Sequence, residues 1–163
     1  NGSFSARGSN RIEFPQGIPF HRLKSMDADW PYKRTTDYLF PQDHGYQFRG
    51  YYLDKQQRPT FMYTYGKIKI EEFYEDRLDQ DKQAYFRRTF TFDTSADQPV
   101  FYFRAASGSK IIEESENSFA IGKLRISTHG QPQHIIRDGE TQELLIPLTL
   151  SAGKSTLILD YQW

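Results

Sequence analysis

The sequence predicts an all-β domain: an antiparallel β-sandwich, jelly-roll-like or of the larger supersandwich kind, with a long irregular N-terminal segment. Three observations carry that expectation. After Gly45 the chain breaks into runs in which apolar and polar side chains alternate with period two. Turn residues separate these runs at intervals of roughly 8 to 12 residues, the spacing of sandwiches and barrels. No amphipathic helical period persists for more than about two turns. About eight to ten strands are expected on that spacing.

Composition bounds the function. The 163 residues suit one domain, and residues 1–10, rich in Gly and Ser, read as a linker or remnant ahead of a single domain over 11–163. A chain that begins with Asn1 reads as a domain cut from a longer polypeptide or as a processed product. Aromatic residues are 16% of the chain, with 13 Phe, 11 Tyr and 2 Trp, which is enough ring area to offset the entropy of ordering. No run approaches the roughly 18 to 20 apolar residues of a membrane span. Lys plus Arg and Asp plus Glu are both 21, so the net charge is zero and no nucleic-acid partner is expected. The chain has no Cys, which removes disulfides, thiolate metal sites, Cys nucleophiles and covalently attached haem.

The elements follow in chain order. The stretch from Ile18 to Gly45 holds Pro19, Pro31 and Pro41 with little periodicity, and reads as an extended cover anchored by Phe20, Leu23, Trp30, Tyr38, Leu39 and Phe40. A polar turn over Asp54 to Pro59 separates two aromatic strands, and Gly66 permits a tight reversal into Lys67. In Lys67–Glu71 the residues Ile68 and Ile70 share one face. Glu75 to Gln83 reads either as a short helix or as a solvated loop. Over Tyr85–Phe92 the residues Phe86, Arg88, Phe90 and Phe92 fall on one face, and Val100–Arg104 is an aromatic strand. Ser107 to Ser109 reads as a strand-end turn. Asp138–Gly139, flanked by Ile135–Ile136 and Leu144–Leu145, fits a type I′ hairpin with Gly at positive φ. Leu157, Leu159, Tyr161 and Trp163 alternate along a last strand.

Few residues point to chemistry. His129 and His134 flank a Gly–Pro turn, where they read as two surface residues or as a facing pair on a hairpin. Asp43–His44 is either a loop cap or half of an acid–base or metal site. Glu71–Glu72 and Glu113–Glu114 are adjacent, so each pair splits between opposite strand faces and reads as solvated outer surface. Arg49, Arg88 and Arg104 lie inside aromatic runs, where a guanidinium stacks on rings or holds a buried carboxylate, or else meets an anionic or sugar ligand on the sheet face. Trp30–Pro31–Tyr32 is the best candidate for an exposed sugar platform, the alternative for Trp30 being core packing. Phosphate loops, nucleophile elbows and Ser/His/Asp signatures are absent from the sequence. The expectation is therefore no catalytic residue and no metal ligand, with Trp30, Tyr32, His44 and Arg49 as ligand-binding candidates.

Four strings then combine: GYQFRGYYLDKQQRPTFMY from Gly45 to Tyr63, VFYFRAASG from Val100 to Gly108, IPFHRLKSMDADWP from Ile18 to Pro31, and LILDYQW at the end. Together they resemble a β-rich module of large exported proteins of Planctomycetes, Verrucomicrobia and Bacteroidetes, proteins similar to c-type cytochromes joined to a sorbosone/glucose dehydrogenase-like propeller. The resemblance implies a periplasmic or secreted, non-catalytic structural or binding module that packs against other domains of its parent polypeptide. It implies no cofactor in this domain, since C-x-x-C-H is missing along with every Cys, and haem would belong elsewhere in the parent. The alternatives are a carbohydrate-binding module taking a glycan, or a sugar-active hydrolase or lyase.

Overall fold

The computed structural model describes residues 12, 14–31, 40–130 and 133–163. The chain is an all-β sandwich, as the alternation predicts. The strands are β1 (Phe20–His21), β2 (Tyr46–Leu53), β3 (Pro59–Tyr65), β4 (Ile68–Leu78), β5 (Ala84–Thr94), β6 (Gln98–Gly108), β7 (Ile112–Ser115), β8 (Ser118–Ile121), β9 (Leu124–Thr128), β10 (Ile135–Arg137), β11 (Gln142–Leu150) and β12 (Gly153–Gln162). Eight of them form one sheet in the order β2-β3-β4-β5-β12-β9-β8-β7, and four form the other in the order β1-β6-β11-β10. The chain crosses between sheets after β1, β5, β6, β9 and β11, so the layers are interwoven rather than built one after the other.

Rings fill the space between the layers. Phe20 lies with its centroid 5.1 Å from Phe90, 5.5 Å from Phe92 and 5.1 Å from Phe103, mostly edge to face. Each such side chain taken out of water contributes about 1.5–3 kcal/mol. Ile68, Ile70, Phe101, Leu144, Ile146, Leu157 and Leu159 join the same cluster. A two-residue strand such as β1 leaves backbone groups short of partners. Tyr46 supplies them: its hydroxyl accepts from Phe20 N at 2.8 Å and donates to Phe20 O at 2.5 Å. Burial raises the Tyr46 pKa well above its ordinary value, so the phenol stays protonated and able to donate.

Several local expectations hold. Phe90 and Phe92 are buried on the same side of β5 as Arg88. Tyr65 pairs with Ile68 across Gly66–Lys67, and Gly66 alone takes positive φ (+56°), the demand of a type II′ turn. Ile135 and Ile136 pair with Leu145 and Leu144 as the flanking runs suggest.

Other expectations are corrected. Glu75–Leu78 is neither helix nor loop but the continuation of β4. Glu75 is neutralised by arginines, contacting Arg77 at 2.5 Å and Arg58 at 3.5 Å, which favours the extended run. The chain then turns around Asp79, whose Oδ1 accepts from Asp81 N and Gln83 N. The β10–β11 turn is not a two-residue type I′ hairpin, because the last pair is Arg137 with Glu143 and Gly139 is not at positive φ. The Arg137–Glu143 ion pair closes a wider loop instead. Glu72 does not belong to a solvated surface but is buried. Phe40, expected as an anchor, is 57% exposed, while Tyr38 and Leu39 lie outside the described residues. The strand count exceeds the expectation because β1, β7, β8 and β10 have only two to four residues, too few for a period to show.

Candidate functional site

Arginine and glutamate organise the polar interior. Arg88 Nε donates to Glu72 Oε1 at 2.6 Å, and its guanidinium lies 4.5–4.6 Å from the ring centroids of Phe14 and Phe90. Burial works against the Arg88 charge, but Glu72, Tyr161 and Tyr74 outweigh it and raise its pKa. Tyr63 and Tyr74 both donate to the Glu72 carboxylate. The sequence reading of Arg88 as a ring-stacked partner of a buried carboxylate is met here.

Arg104 repeats the arrangement on the small sheet and opens on a cleft. Its Nη1 donates to Glu143 Oε1 at 2.8 Å, its Nη2 to the Gln16 carbonyl, and its guanidinium lies 5.1 Å from the Trp30 ring. Glu143 also accepts from Arg137 Nε at 2.6 Å, while Arg137 Nη1 reaches the carbonyls of Met26 and Ala28 at 2.8 and 2.7 Å. One buried glutamate thus ties β6, β10, β11 and the N-terminal segment together. Burial lowers the Arg104 pKa from its ordinary value, with Arg137 adding to the effect and Glu143 opposing it. These groups floor a cleft of about 300 Å³ walled by Asp27, Asp29, Ser107, Asp138, Glu140 and Thr141.

A second surface is aromatic. The register sets Phe48 opposite Tyr63 and Tyr51 opposite Phe61, on the side where Tyr46 and Tyr65 enter the core. The cover thins toward this end of the large sheet, leaving Phe48 65% and Tyr51 59% exposed. A ring ladder continues inward through Phe61–Tyr74 at 6.3 Å and Tyr74–Phe86 at 5.4 Å. Arg49 is the extra residue of a bulge between Phe48 and Gly50, and Gly50 takes φ +111°. Such a bulge twists an edge strand and re-aims its side chains. Among the described residues, β2 has no neighbour on its outer side.

The four candidates separate in the structure. Trp30 is 1% exposed and donates from Nε1 to Ile18 O at 2.9 Å, so it is a core ring and not an exposed platform. The reason is that it covers Arg104, a group that needs a ring face once desolvated. Tyr32 lies outside the described residues. His44 ends the 3-10 turn Pro41–His44 and meets the His21 ring at 5.8 Å; His21 in turn meets Trp30 at 5.8 Å. Arg49 is exposed beside a shallow depression with Gln42, Phe48 and Thr64. Trp30 and His44 are therefore joined through His21, while Arg49 stands apart.

His129 and His134 do not face a common ligand. His129 Nε2 bonds Asp160 Oδ2 at 2.7 Å beside Arg87, and His134 Nε2 bonds Thr128 Oγ1 at 2.8 Å. Burial works against the Asp160 charge, but hydrogen bonds from Arg87 and His129 outweigh it and hold the carboxyl below its ordinary pKa. Glu113 and Glu114 are exposed on β7. Among the described residues no group of three His, Cys, Asp or Glu side chains could hold a metal ion. Sequence reasoning missed Arg137 and Glu143, whose partners come from distant segments; the flanking of the Asp–Gly turn by opposite charges was the available signal.

No protein-family description and no curated protein matches the chain. A solved structure described as "Putative kojibiose phosphorylase from human microbiome" is similar over 64% of this chain, at 13% identity and a TM-score of 0.41. The match spans 17% of that protein's chain, and the functional reading rests on the residues described above.

Proposed function

We propose that this domain is a non-catalytic docking and binding module of a larger exported protein, one resembling c-type cytochromes joined to a sugar-dehydrogenase-like propeller. The observation that supports it is the aromatic end of the large sheet. Phe48 and Tyr51 stand exposed above the ladder of Phe61, Tyr74 and Phe86, on a strand whose outer backbone edge has no described neighbour. Clustered exposed rings of this kind mark interaction surfaces, and an open edge accepts a further strand. The partner in this reading is another domain of the parent polypeptide, with any covalently attached haem carried there, since this chain has no Cys.

The test is titration of this domain against the separately produced remainder of its parent. Wild type binds, and Phe48→Asp with Tyr51→Lys weakens binding by about a hundredfold, as loss of two interface rings costs. Equal binding by wild type and variant refutes the docking surface.

A further inference from the structure

We propose that Asp138–Gly139 is a site of spontaneous backbone modification, at which Asp138 rearranges through a succinimide to isoaspartate and releases Gln142 from the β10–β11 loop. No residue of this site belongs to the aromatic surface, so the inference and the docking reading stand or fall separately.

The chemistry is carried by the residue pair. Asp138 is the only aspartate of the chain followed by glycine, and a glycine nitrogen attacks with no neighbouring side chain to crowd it. The Gly139 nitrogen adds to Cγ of the neutral Asp138 carboxyl. The N–Cγ bond forms, the Cγ–OH bond breaks, and the amide proton leaves with that hydroxyl as water. Water then opens the five-membered ring. Cleavage of the Cγ–N bond restores aspartate. Cleavage between the nitrogen and the Asp138 main-chain carbonyl carbon instead routes the backbone through Cβ and Cγ and leaves a carboxylate on Cα. No electron is transferred, and water is the only co-reactant.

The structure decides where this reaction is open. Ring closure requires rotation of the main chain, and Asp138 to Thr141 are exposed and outside any strand, the ladder having ended at Arg137 and Glu143. Behind the loop lies the cleft of about 300 Å³, so the loop moves without displacing core side chains. Asn117–Ser118 is the contrasting case, since asparagine undergoes the same closure with loss of ammonia. There Asn117 O accepts from Thr128 N at 2.9 Å and its Oδ1 from Thr128 Oγ1 at 3.4 Å, while Ser118 pairs with Ser115 and Ser127. Ring closure at Asn117 therefore breaks the pairing of β7, β8 and β9, whereas opening of an unpaired loop costs far less.

The modification has a local consequence. Asp138 Oδ1 accepts from Gln142 Nε2 at 2.9 Å, and Gln142 Oε1 accepts from Ile111 N at 2.6 Å. One side-chain amide thus ties the loop to the segment entering β7. Isoaspartate carries its free carboxylate on Cα, which removes the acceptor that Gln142 uses.

The experiment is incubation of the 163-residue chain in heavy-oxygen water at neutral pH and physiological temperature, folded and in urea, followed by peptide mapping. Each passage through the succinimide leaves one heavy oxygen on Asp138, and electron-transfer fragmentation separates isoaspartate from aspartate; Asn1–Gly2 falls in a different peptide. The folded chain is expected to label Asp138 within about tenfold of the rate in urea, and Asn117 to convert at least about tenfold more slowly folded than in urea. Asp138→Asn, an exposed substitution, should convert at least about tenfold faster than wild type, and Asp138→Glu, which would need a six-membered ring, should stay unlabelled. In the converted chain the Gln142 side-chain amide resonance shifts while core amides keep their positions. Asp138 left unlabelled in the folded chain while it labels in urea overturns the proposal. So does conversion of Asn117 before Asp138 in the folded chain, equal labelling of Asp138→Glu, or a Gln142 resonance that isoaspartate leaves in place.

Discussion

Arg88 and Glu72 meet inside the sandwich, with Nη2 2.6 Å from Oε1 and side-chain exposures of 7% and 9%. They lie diagonally on β4 and β5, where Tyr74 pairs with Arg88 and Glu72 with Phe90. Rings from both layers surround the pair, which makes the cost of separating its members large.

Glu72→Gln leaves the Arg88 charge buried without its counter-charge. The expected loss is about 3–5 kcal/mol in urea unfolding, with a fall in Tm of roughly 10 °C. Replacing both, as Glu72→Leu with Arg88→Met, recovers most of it, since apolar groups of similar volume need no pairing. A double variant as unstable as Glu72→Gln would show that the pair itself supplies net stability.

Trp30→Ala is expected to cost about 3–5 kcal/mol, measured by the same unfolding curves. The ring is buried, bonds Ile18 O, and covers Arg104, so cavity, hydrogen bond and cation contact are lost together. A near-neutral Trp30→Ala would return Trp30 to the exposed platform that the sequence left open beside core packing.

Gly108 ends β6 with no room for a side chain: a Cβ there would stand 2.4 Å from Ile121 Cγ2. Ile is stiff at χ1, so Gly108→Ala forces backbone or rotamer strain of about 1–3 kcal/mol. Gly66→Ala meets no atom within 4 Å but keeps φ near +56°, and its cost is the backbone term of about 1 kcal/mol. Thermal melts of the two variants distinguish crowding from backbone strain, because Gly66→Asn, which tolerates positive φ, restores stability only at the turn.

Acidification should destabilise the domain through His21 and His134. Burial lowers both pKa values from 6.5, with His44 adding to the effect at His21; Glu113 and Glu116 oppose it at His134. The unfolded chain therefore binds protons first. The stabilising contribution is complete above about pH 6.5 and is lost as pH falls through that value toward the folded pKa. Tm measured from about pH 7.5 down to about pH 5.5 should decline, and His21→Gln with His134→Gln should flatten the decline. An unchanged slope in that variant would place the sensitivity elsewhere.

How much of this was legible in the sequence depends on range. The faces of β5 and β12 follow from alternation, because strand side chains point to opposite sides whatever the sheet does next. The Gly66 turn follows from its local backbone demand. The roles of Arg88 and Arg104 could be anticipated, since a guanidinium in an aromatic strand must find rings and a carboxylate. The identity of those carboxylates could not: Glu143 is 39 residues from Arg104, and nothing local distinguishes it from a surface glutamate. Glu72 looked like outer surface for the same reason, until β5 brought Arg88 beside it.

By itself the sequence determined the fold class, the inward faces of the long strands and the absence of thiol chemistry, all properties of composition and near-neighbour geometry. Only the tertiary structure decided that Trp30 is core, that Phe48 and Tyr51 remain uncovered, and that Arg104, Arg137 and Glu143 close one cleft. Those outcomes depend on which segments the sheet crossings bring together, and desolvation then fixes which charges must pair and which rings must cover them.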